Sequence, residues 1–237
     1  RRVEGVPVAG GMTVFPGGGV DTRDSDISVA WNGPDPRWWG QRFGCSPELA
    51  RSLVCAAVRE TFEESGVLLA GPGPGTVVND TSAYADARAA LVSRELSLAR
   101  FLNEAGLVLR SDLLRPWANW VTPEEEPRRY DTRFFLAAMP DGQHADGGTS
   151  EAEKAYWQAP GAALDDWEQE RSGLLPPTWV TLTEVGAYGT VTAALDAERP
   201  MDKVIPTLVK QDGAWTVRLP DAVRGEELAQ QPDEEEK

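Results

Sequence analysis

The segment 59–64, which reads RETFEE, places three carboxylates and a guanidinium within six residues. In an α-helix, at about 100° per residue, Glu60, Glu63 and Glu64 fall within about 100° of one another. Carboxylates this close repel each other unless a cation lies among them, and Mg²⁺ and Mn²⁺ prefer oxygen ligands of this kind. Arg59, one turn before Glu63, can hydrogen-bond a carboxylate and fix its rotamer. The segment predicts a divalent-metal site, and a solvated acidic helix face is the alternative.

The helix that carries this segment has clear start and stop signals. Ser46 is a good N-cap and Pro47 suits the first helical position, while Gly66 is placed to end the helix after Ser65. Three apolar residues repeat at i, i+4 and i+8 on the side opposite the glutamates: Val54, Val58 and Phe62. This repeat predicts a core-facing surface, so the glutamates are expected to point away from the core.

A glycine-rich turn, FPGG at 15–18, precedes this helix. Together with 59–67 it resembles the Nudix box, G-x5-E-x7-R-E-U-x-E-E-x-G-U, where U is a bulky apolar residue. The second half of the pattern matches at every defined position. The first half departs from it, because forty residues lie between the two matching parts, about twenty-seven more than the pattern has. The first glutamate of the box has no clear counterpart, and Asp21 and Asp24 are weak candidates.

The resemblance to the Nudix hydrolase family implies an α/β fold, an α/β/α sandwich with a mixed sheet between helices, here with an inserted loop and added helices. Members of the family cleave a nucleoside diphosphate linked to another moiety by attack of water on phosphorus. Glu60, Glu63 and Glu64 match the metal-binding glutamates, so Mg²⁺ or Mn²⁺ is the implied cofactor and Arg59 completes the expected catalytic group. Glu60 fits a second role equally well, as the acceptor of the proton from the attacking water. Glu151, six residues before Trp157, matches a further metal ligand of many members, and Glu153 is the second candidate. An exposed acidic turn is the alternative for both.

Four features are similar to one branch of the family, the peroxisomal coenzyme A diphosphatases (nucleoside diphosphate-linked moiety X motif 19 type). They are the insertion inside the box, the helix sequence CAAVRETFEESGVLL, the phrase PRRYDTRFFLA at 127–137, and the strand ending WVTP at 120–123. This similarity implies coenzyme A or an acyl derivative as the small-molecule substrate, with ADP-ribose or NADH as the next candidates. A Nudix-fold module that binds a nucleotide without hydrolysing it is the alternative class, and retention of all three box glutamates favours the enzyme.

Two further pairs of residues are candidates for contact with the substrate. Gly17 and Gly18 lie in the glycine-rich turn, where the family's pattern begins. Arg129 and Arg133 belong to the densest basic patch of the chain and share a face in an alternating strand, from which they can hold phosphates. Salt bridges to the many acidic residues are the alternative for these arginines.

Composition excludes several other classes of function. Lys and Arg total 23 against 38 Asp and Glu, a formal net charge of −15, and the body without its acidic tail still carries about −10. Such a chain lacks the positive field that a phosphate backbone or an anionic membrane surface requires. One histidine and two cysteines rule out a multi-histidine or structural zinc centre. No apolar run is long enough for a membrane span and no secretory signal is visible, so we expect a cytoplasmic protein that binds neither nucleic acid nor membrane, with a homodimer left open.

The expected organisation is one domain over 1–223 followed by a disordered acidic tail over 224–237. An irregular insertion at about 21–45 contains a cluster of aromatic residues, Trp31, Trp38, Trp39 and Phe43. Stacking on a base or closing over the site is one role for them, but packing of the insertion's own small core is favoured. A second helix is expected at about 79–106. Strands are expected at 6–15, 117–122, 129–139, 151–158, 204–209 and 214–219, and helices at 164–172 and 183–195.

Overall fold

In the computed structural model, the described residues are 12–147, 155–211, 214–221 and 223. Contacts divide the chain into two compact units: unit 1 comprises Arg1–Arg115 and Phe135–Glu198, and unit 2 comprises Pro116–Phe134 and Arg199–Lys237. The expected single domain over 1–223 stays a prediction. The expected tail over 224–237 lies outside the described residues. Within the described ranges, no helix has the length and apolar character that crossing a membrane requires.

The described part of the chain contains seven α-helices: α1 (Pro36–Phe43), α2 (Pro47–Ser65), α3 (Ala85–Val92), α4 (Leu98–Glu104), α5 (Pro160–Glu168), α6 (Pro176–Gly186) and α7 (Val191–Asp196). Short 3₁₀ turns occupy Thr22–Ser25, Ser82–Tyr84 and Ser111–Leu113. The strands of the same ranges are β1 (Met12–Thr13), β2 (Trp31–Asn32), β3 (Ala70–Gly71), β4 (Val108–Arg110), β5 (Leu114–Val121), β6 (Asp131–Ala137), β7 (Gly173–Leu174), β8 (Lys203–Val204), β9 (Thr207–Gln211) and β10 (Ala214–Arg218).

The strands form small sheets that include parallel and antiparallel pairs, and together with the helices they confirm the α/β class. In unit 1, β1 pairs with β7 in parallel, and the order β2-β4-β3 combines a parallel and an antiparallel pair. The sheet with the order β6-β5-β8 lies mostly in unit 2 and has β8 parallel to β5, while β9 and β10 form an antiparallel pair. The strand expected at 6–15 is described only from residue 12 onward, as β1.

Helix α2 forms where its capping signals place it. Ser46 Oγ accepts from Leu49 N at 3.2 Å, and Gly66 at φ 73° donates its N–H to Phe62 O at 2.9 Å. The predicted apolar face is buried: Val54, Val58 and Phe62 are at most 1% exposed. Phe62 stacks on Phe101 of α4 with ring centroids 5.6 Å apart. The helix that carries the glutamates is therefore fixed along its apolar side.

The insertion at 21–45 is more ordered than its composition suggested, since it contains a 3₁₀ turn, β2 and the whole of α1. The same signals that define α2 define α1: Asp35 accepts from Trp38 N at 2.9 Å, Pro36 opens the helix, and Gly44 at φ 62° ends it. Strand β2 joins the insertion to β4 in parallel. Ser111 Oγ adds a bond of 3.0 Å to the Asn32 carbonyl.

The aromatic residues of the insertion mostly pack its core, as favoured. Trp39 is fully buried and lies 5.3 Å from Phe43 and 5.8 Å from Phe135, centroid to centroid. Trp38 is 39% exposed. Its ring lies 5.9 Å from the Arg42 guanidinium.

The structure has two helices, α3 and α4, where one was expected at 79–106. The prediction of a continuous helix was therefore wrong. Chain direction changes after α3 because Arg94 adopts φ 63°, a left-handed conformation that an arginine rarely adopts. Ser97 then caps α4 by accepting from Arg100 N at 3.2 Å. We call Ser82–Glu104 the helical addition.

Helix and strand boundaries near the C-terminus also differ from expectation. Helix α5 begins at Pro160, where proline suits the first turn, rather than at 164. The helix expected at 183–195 is the end of α6 followed by α7, whose N-cap is Thr190. Of the strand expected at 151–158, residues 155–158 have no strand structure and 151–154 lie outside the described residues.

We expect Trp39→Ala to lower the free energy of unfolding by about 3–5 kcal/mol, because it empties a fully buried ring site. Trp38→Ala removes a half-exposed ring of the same type one residue away, so it should cost much less. Urea denaturation of both variants measures the difference. Equal losses in the two variants would contradict the packing role assigned to Trp39.

Candidate active site

Arg59 is the centre of the candidate site. It is 7% exposed and projects from α2 toward the turn at 17–24. Its Nη2 donates to Gly19 O at 2.9 Å, and its Nη1 donates to Glu60 Oε1 at 2.7 Å and to Glu63 Oε1 at 3.3 Å. Arg59 was expected to hydrogen-bond a carboxylate and fix its rotamer, and it bonds two, those of Glu60 and Glu63.

Asp24 supplies the remaining partners of Arg59. Its two carboxylate oxygens accept from Arg59 Nε at 3.0 Å and Nη2 at 2.9 Å, a bidentate pair in which Asp24 is only 2% exposed. Burial works to lower the pKa of Arg59, but the hydrogen bonds to Asp24 and the charge of Glu60 outweigh it and raise the pKa above its ordinary value. Of the two weak candidates for the first acidic position of the box, Asp24 is the one that contacts the box arginine.

Asp21 has a different task from Asp24. Its side chain accepts from Arg23 N at 2.9 Å and caps the 3₁₀ turn that presents Asp24. Arg23 in turn donates Nη1 to Arg94 O at 2.8 Å, which ties this turn to the helical addition. The hydrogen bonds from Arg23 hold the pKa of Asp21 well below its usual range. Sequence reasoning missed Arg23, because only the fold brings it to Arg94 and reveals the contact.

Glu60 and Glu63 lie side by side against Arg59, each with a side chain 14% exposed. Burial raises the pKa of Glu63, the Arg59 charge opposes that rise, and the neighbouring Glu60 charge adds to it. Gly18 lies directly on the Glu60 carboxylate, since a Cβ there would come within 2.4 Å of Oε1. The close approach explains why a residue without a side chain occupies position 18.

Three further residues were predicted for the site: Glu64, Gly17 and Glu151. Glu64 follows on α2 and is half-buried. Gly17 has open space where a Cβ would be. Glu151 lies outside the described residues, so its assignment as a metal ligand stays a prediction.

The donor chemistry of the site suits a hard divalent cation. One guanidinium faces three carboxylates, those of Asp24, Glu60 and Glu63, so the immediate charge is +1 against −3. Carboxylate oxygens are the ligands that Mg²⁺ and Mn²⁺ take, and Glu60, Glu63 and Glu64 are the residues of α2 that would hold such an ion. Among the residues that the structure describes, no three carboxylate, histidine or cysteine side chains converge closely enough to form a complete metal site.

Arg129 and Arg133 both belong to unit 2 and have protein partners there. Arg129 precedes β6 rather than lying within it, and its Nε donates to Thr122 O at 3.0 Å. The Arg133 side chain is 7% exposed and forms an ion pair with Asp131. The salt-bridge alternative therefore applies to Arg133, and a contact of either arginine with substrate phosphates stays a prediction.

Cys55 and His144 are not among the partners of Arg59. Cys55 is fully buried inside α2. Burial raises the pKa of its thiol to about 12, so the thiol stays protonated and packs as a core residue. His144 is exposed in the loop after β6.

A solved structure shares this architecture. The chain superposes on the crystal structure of a NUDIX hydrolase from Alicyclobacillus acidocaldarius with a TM-score of 0.67 and 27% identity, over 83% of this chain and 86% of that one. The class that the fold and the Arg59 cluster define is therefore that of the Nudix hydrolases, which generally use divalent metal ions.

A family model described as the NUDT19 Nudix domain matches residues 44–185, more than half of the chain. The chain belongs to this NUDT19-type branch of the Nudix family. It is 31% identical to "Putative nudix hydrolase 7" of Caenorhabditis elegans over 175 residues, which are 73% of this chain and 49% of that protein. It is 26% identical to the acyl-coenzyme A diphosphatase NUDT19 of Gallus gallus over 156 residues, which are 58% of this chain and 41% of that protein. The chain thus spans about half the length of these relatives.

We expect Asp24→Asn to lower the free energy of unfolding by about 3 kcal/mol, because it leaves the buried Arg59 charge without its bidentate partner. The matched control is Asp26→Asn, two residues away and exposed, which should change stability by less than about 0.5 kcal/mol. Denaturant titration at pH 7 gives both values. Similar losses for the two variants would mean that Asp24 does not anchor Arg59.

We expect Glu63→Gln to raise the melting temperature at pH 7 in the presence of a metal chelator. Because the folded-state pKa of Glu63 is raised, its ionised form opposes folding, and stability falls as pH rises through that pKa. The advantage of the variant should shrink as the pH is lowered through the same range. Calorimetry over this pH range measures the difference, and Glu168→Gln, the same change at an exposed glutamate of α5, is the control.

Proposed function

We propose that this chain is a divalent-metal-dependent Nudix hydrolase that cleaves the diphosphate bond of a nucleoside diphosphate linked to another moiety. The observation that carries the proposal is the Arg59 cluster: a buried arginine holds Glu60 and Glu63 on one side of a helix whose sequence keeps the whole second half of the box. These are the side chains that the reaction needs close together.

Each residue of the cluster has a physical task in this proposal. Arg59 fixes the two glutamate side chains and is itself held by Asp24, so the carboxylates are oriented before substrate binds. Glu60, Glu63 and Glu64 would hold Mg²⁺ or Mn²⁺, with Glu151 as a proposed fourth ligand, and Glu60 is the alternative acceptor of the proton from water. When bound, the ion supplies a water of lowered pKa and neutralises charge that develops on the phosphate oxygens.

Coenzyme A or an acyl derivative is the proposed substrate. Support comes from the NUDT19-type family match and from the name of the Gallus gallus relative, an acyl-coenzyme A diphosphatase. ADP-ribose and NADH carry the same diphosphate linkage and are the alternatives within the class. A module that binds nucleotides without hydrolysis is the alternative outside it, and the intact set of box glutamates argues against that alternative.

The remaining expectations are retained as parts of this proposal. The partner is a small nucleotide-linked molecule, with Gly17 and Gly18 of the glycine-rich turn as proposed contacts. The acidic composition supports the absence of nucleic-acid and membrane partners. A cytoplasmic location, a single domain and the monomer or homodimer alternative stay predictions.

Hydrolysis of a panel of nucleotide diphosphates, with products identified by mass, tests the proposal. Cleavage of coenzyme A should give phosphopantetheine and an adenosine bisphosphate, whereas ADP-ribose should give AMP and a ribose phosphate. We expect turnover with Mg²⁺ or Mn²⁺ and none with chelator. Glu63→Gln should lower kcat about 100-fold or more because a charged metal ligand is lost, with folding retained.

Glu168→Gln is the matched control for this experiment, since it makes the same chemical change at an exposed position. It should leave kcat within about twofold of the unmodified protein. Full activity of Glu63→Gln on every accepted substrate would rule out the assigned site. Nucleotide binding without any product would favour the non-hydrolysing module.

A further inference from the structure

The last turn of α2 is held by a side chain from the helical addition. Arg88 of α3 is half-buried, with 15% of its side chain exposed, and its Nε donates to the backbone carbonyl of Glu63 at 3.0 Å. Glu63 is thus held at two points, because Arg59 Nη1 donates to its carboxylate at 3.3 Å. Two arginines from different parts of the chain fix the same residue.

The guanidinium of Arg88 is oriented by Asp146, in the loop that follows β6. Arg88 Nη1 lies 2.8 Å from Asp146 Oδ2, and Nη2 lies 2.8 Å from Oδ1. The backbone N–H of Asp146 donates to Ser65 O at 2.9 Å. The space around Gly66 is tight, since a Cβ there would lie 3.0 Å from Arg88 Nη1 and 3.2 Å from Asp146 Oδ2.

These contacts provide partners for three of the last four carbonyls of α2, which the helix itself leaves unbonded. Gly66 N–H bonds the Phe62 carbonyl, Arg88 bonds that of Glu63, and Asp146 N–H bonds that of Ser65. A cation at this end also interacts favourably with the helix dipole. Without Arg88, the last turn of α2 would lose a bond at the residue that carries a proposed metal ligand, and ends of helices are where fraying begins.

We propose that Arg88 is a positioning residue, which keeps the last turn of α2 closed and thereby sets the carboxylates of Glu63 and Glu64 for the reaction. The inference rests on the proposed hydrolase function for its effect on turnover. Its structural part, closure of the helix end, stands independently of any substrate. The helical addition would then contribute directly to the geometry of the site, through Arg88 at Glu63 and through the carbonyl of Arg94 that accepts from Arg23.

Hydrogen exchange followed by mass spectrometry tests the helix end in the protein without substrate. In Arg88→Ala, the amides of residues 63–66 should exchange about 10-fold faster than in the unmodified protein, while those of 50–56 in the same helix stay unchanged. Asp146→Asn should have a smaller effect, because Asp146 is 57% exposed and its backbone bond to Ser65 remains. Unchanged exchange over 63–66 in Arg88→Ala would overturn the inference.

Steady-state kinetics with Mg²⁺ tests the effect on the reaction. Arg88→Ala should lower kcat about 10-fold or more and leave KM within about threefold. The reason is that the displaced carboxylates, those of Glu63 and Glu64, act in the reaction rather than in substrate binding. Arg100→Ala, in the same helical addition and exposed with its partner Glu104, should change neither value.

A loss of stability alone must not be mistaken for positioning. Val180→Ala, at a buried residue of α6, gives a destabilised control whose melting temperature can be compared with that of Arg88→Ala. At a temperature where both are folded, only Arg88→Ala should lose kcat, and equal losses in both would overturn the positioning role. If the unmodified protein hydrolyses nothing, the proposed function fails, while the exchange experiment still decides whether Arg88 closes the helix.

Discussion

The rest of the site depends on one buried positive charge, that of Arg59. Removing a guanidinium from water is costly. Arg59 offsets this cost by donating five hydrogen bonds, two of them to the single carboxylate of Asp24. The same bonds determine where Glu60 and Glu63 point. Because one positive charge faces three negative ones, the cluster keeps a net negative charge, which would favour the binding of a cation.

The parts of the fold that could be predicted from sequence are those with local signals. The bounds of helix α2 follow from Ser46, Pro47 and Gly66, because each of these residues acts within one turn of the end that it defines. The box glutamates and Arg59 are predictable because their spacing alone places them on one side of that helix. The α/β class follows from alternating helix and strand patterns, and the family match confirms the resemblance.

The parts that could not be predicted depend on long-range contacts or on ambiguous local signals. Helix α1 has the cap signals of α2, yet its Pro, Gly and Trp content resembles a loop. Nothing local marks Arg94 for a left-handed conformation, so the sequence predicts one helix where the structure has two. Asp24 could not be preferred over Asp21, because only the fold brings it to Arg59, 35 positions later.

The contacts of Arg59 with Gly19 and Asp24 also bear on how the insertion is tolerated. They bring the two halves of the box into direct contact. The length of chain between the halves therefore affects the free energy of folding mainly through the entropy of closing the loop. Lengthening a loop about threefold costs only about 1 kcal/mol on that account, and a segment that buries Trp39 and Phe43 recovers more than this. A catalytic motif held together by side chains can therefore accept large changes in linear spacing, and a search for it by spacing alone would pass over chains such as this one.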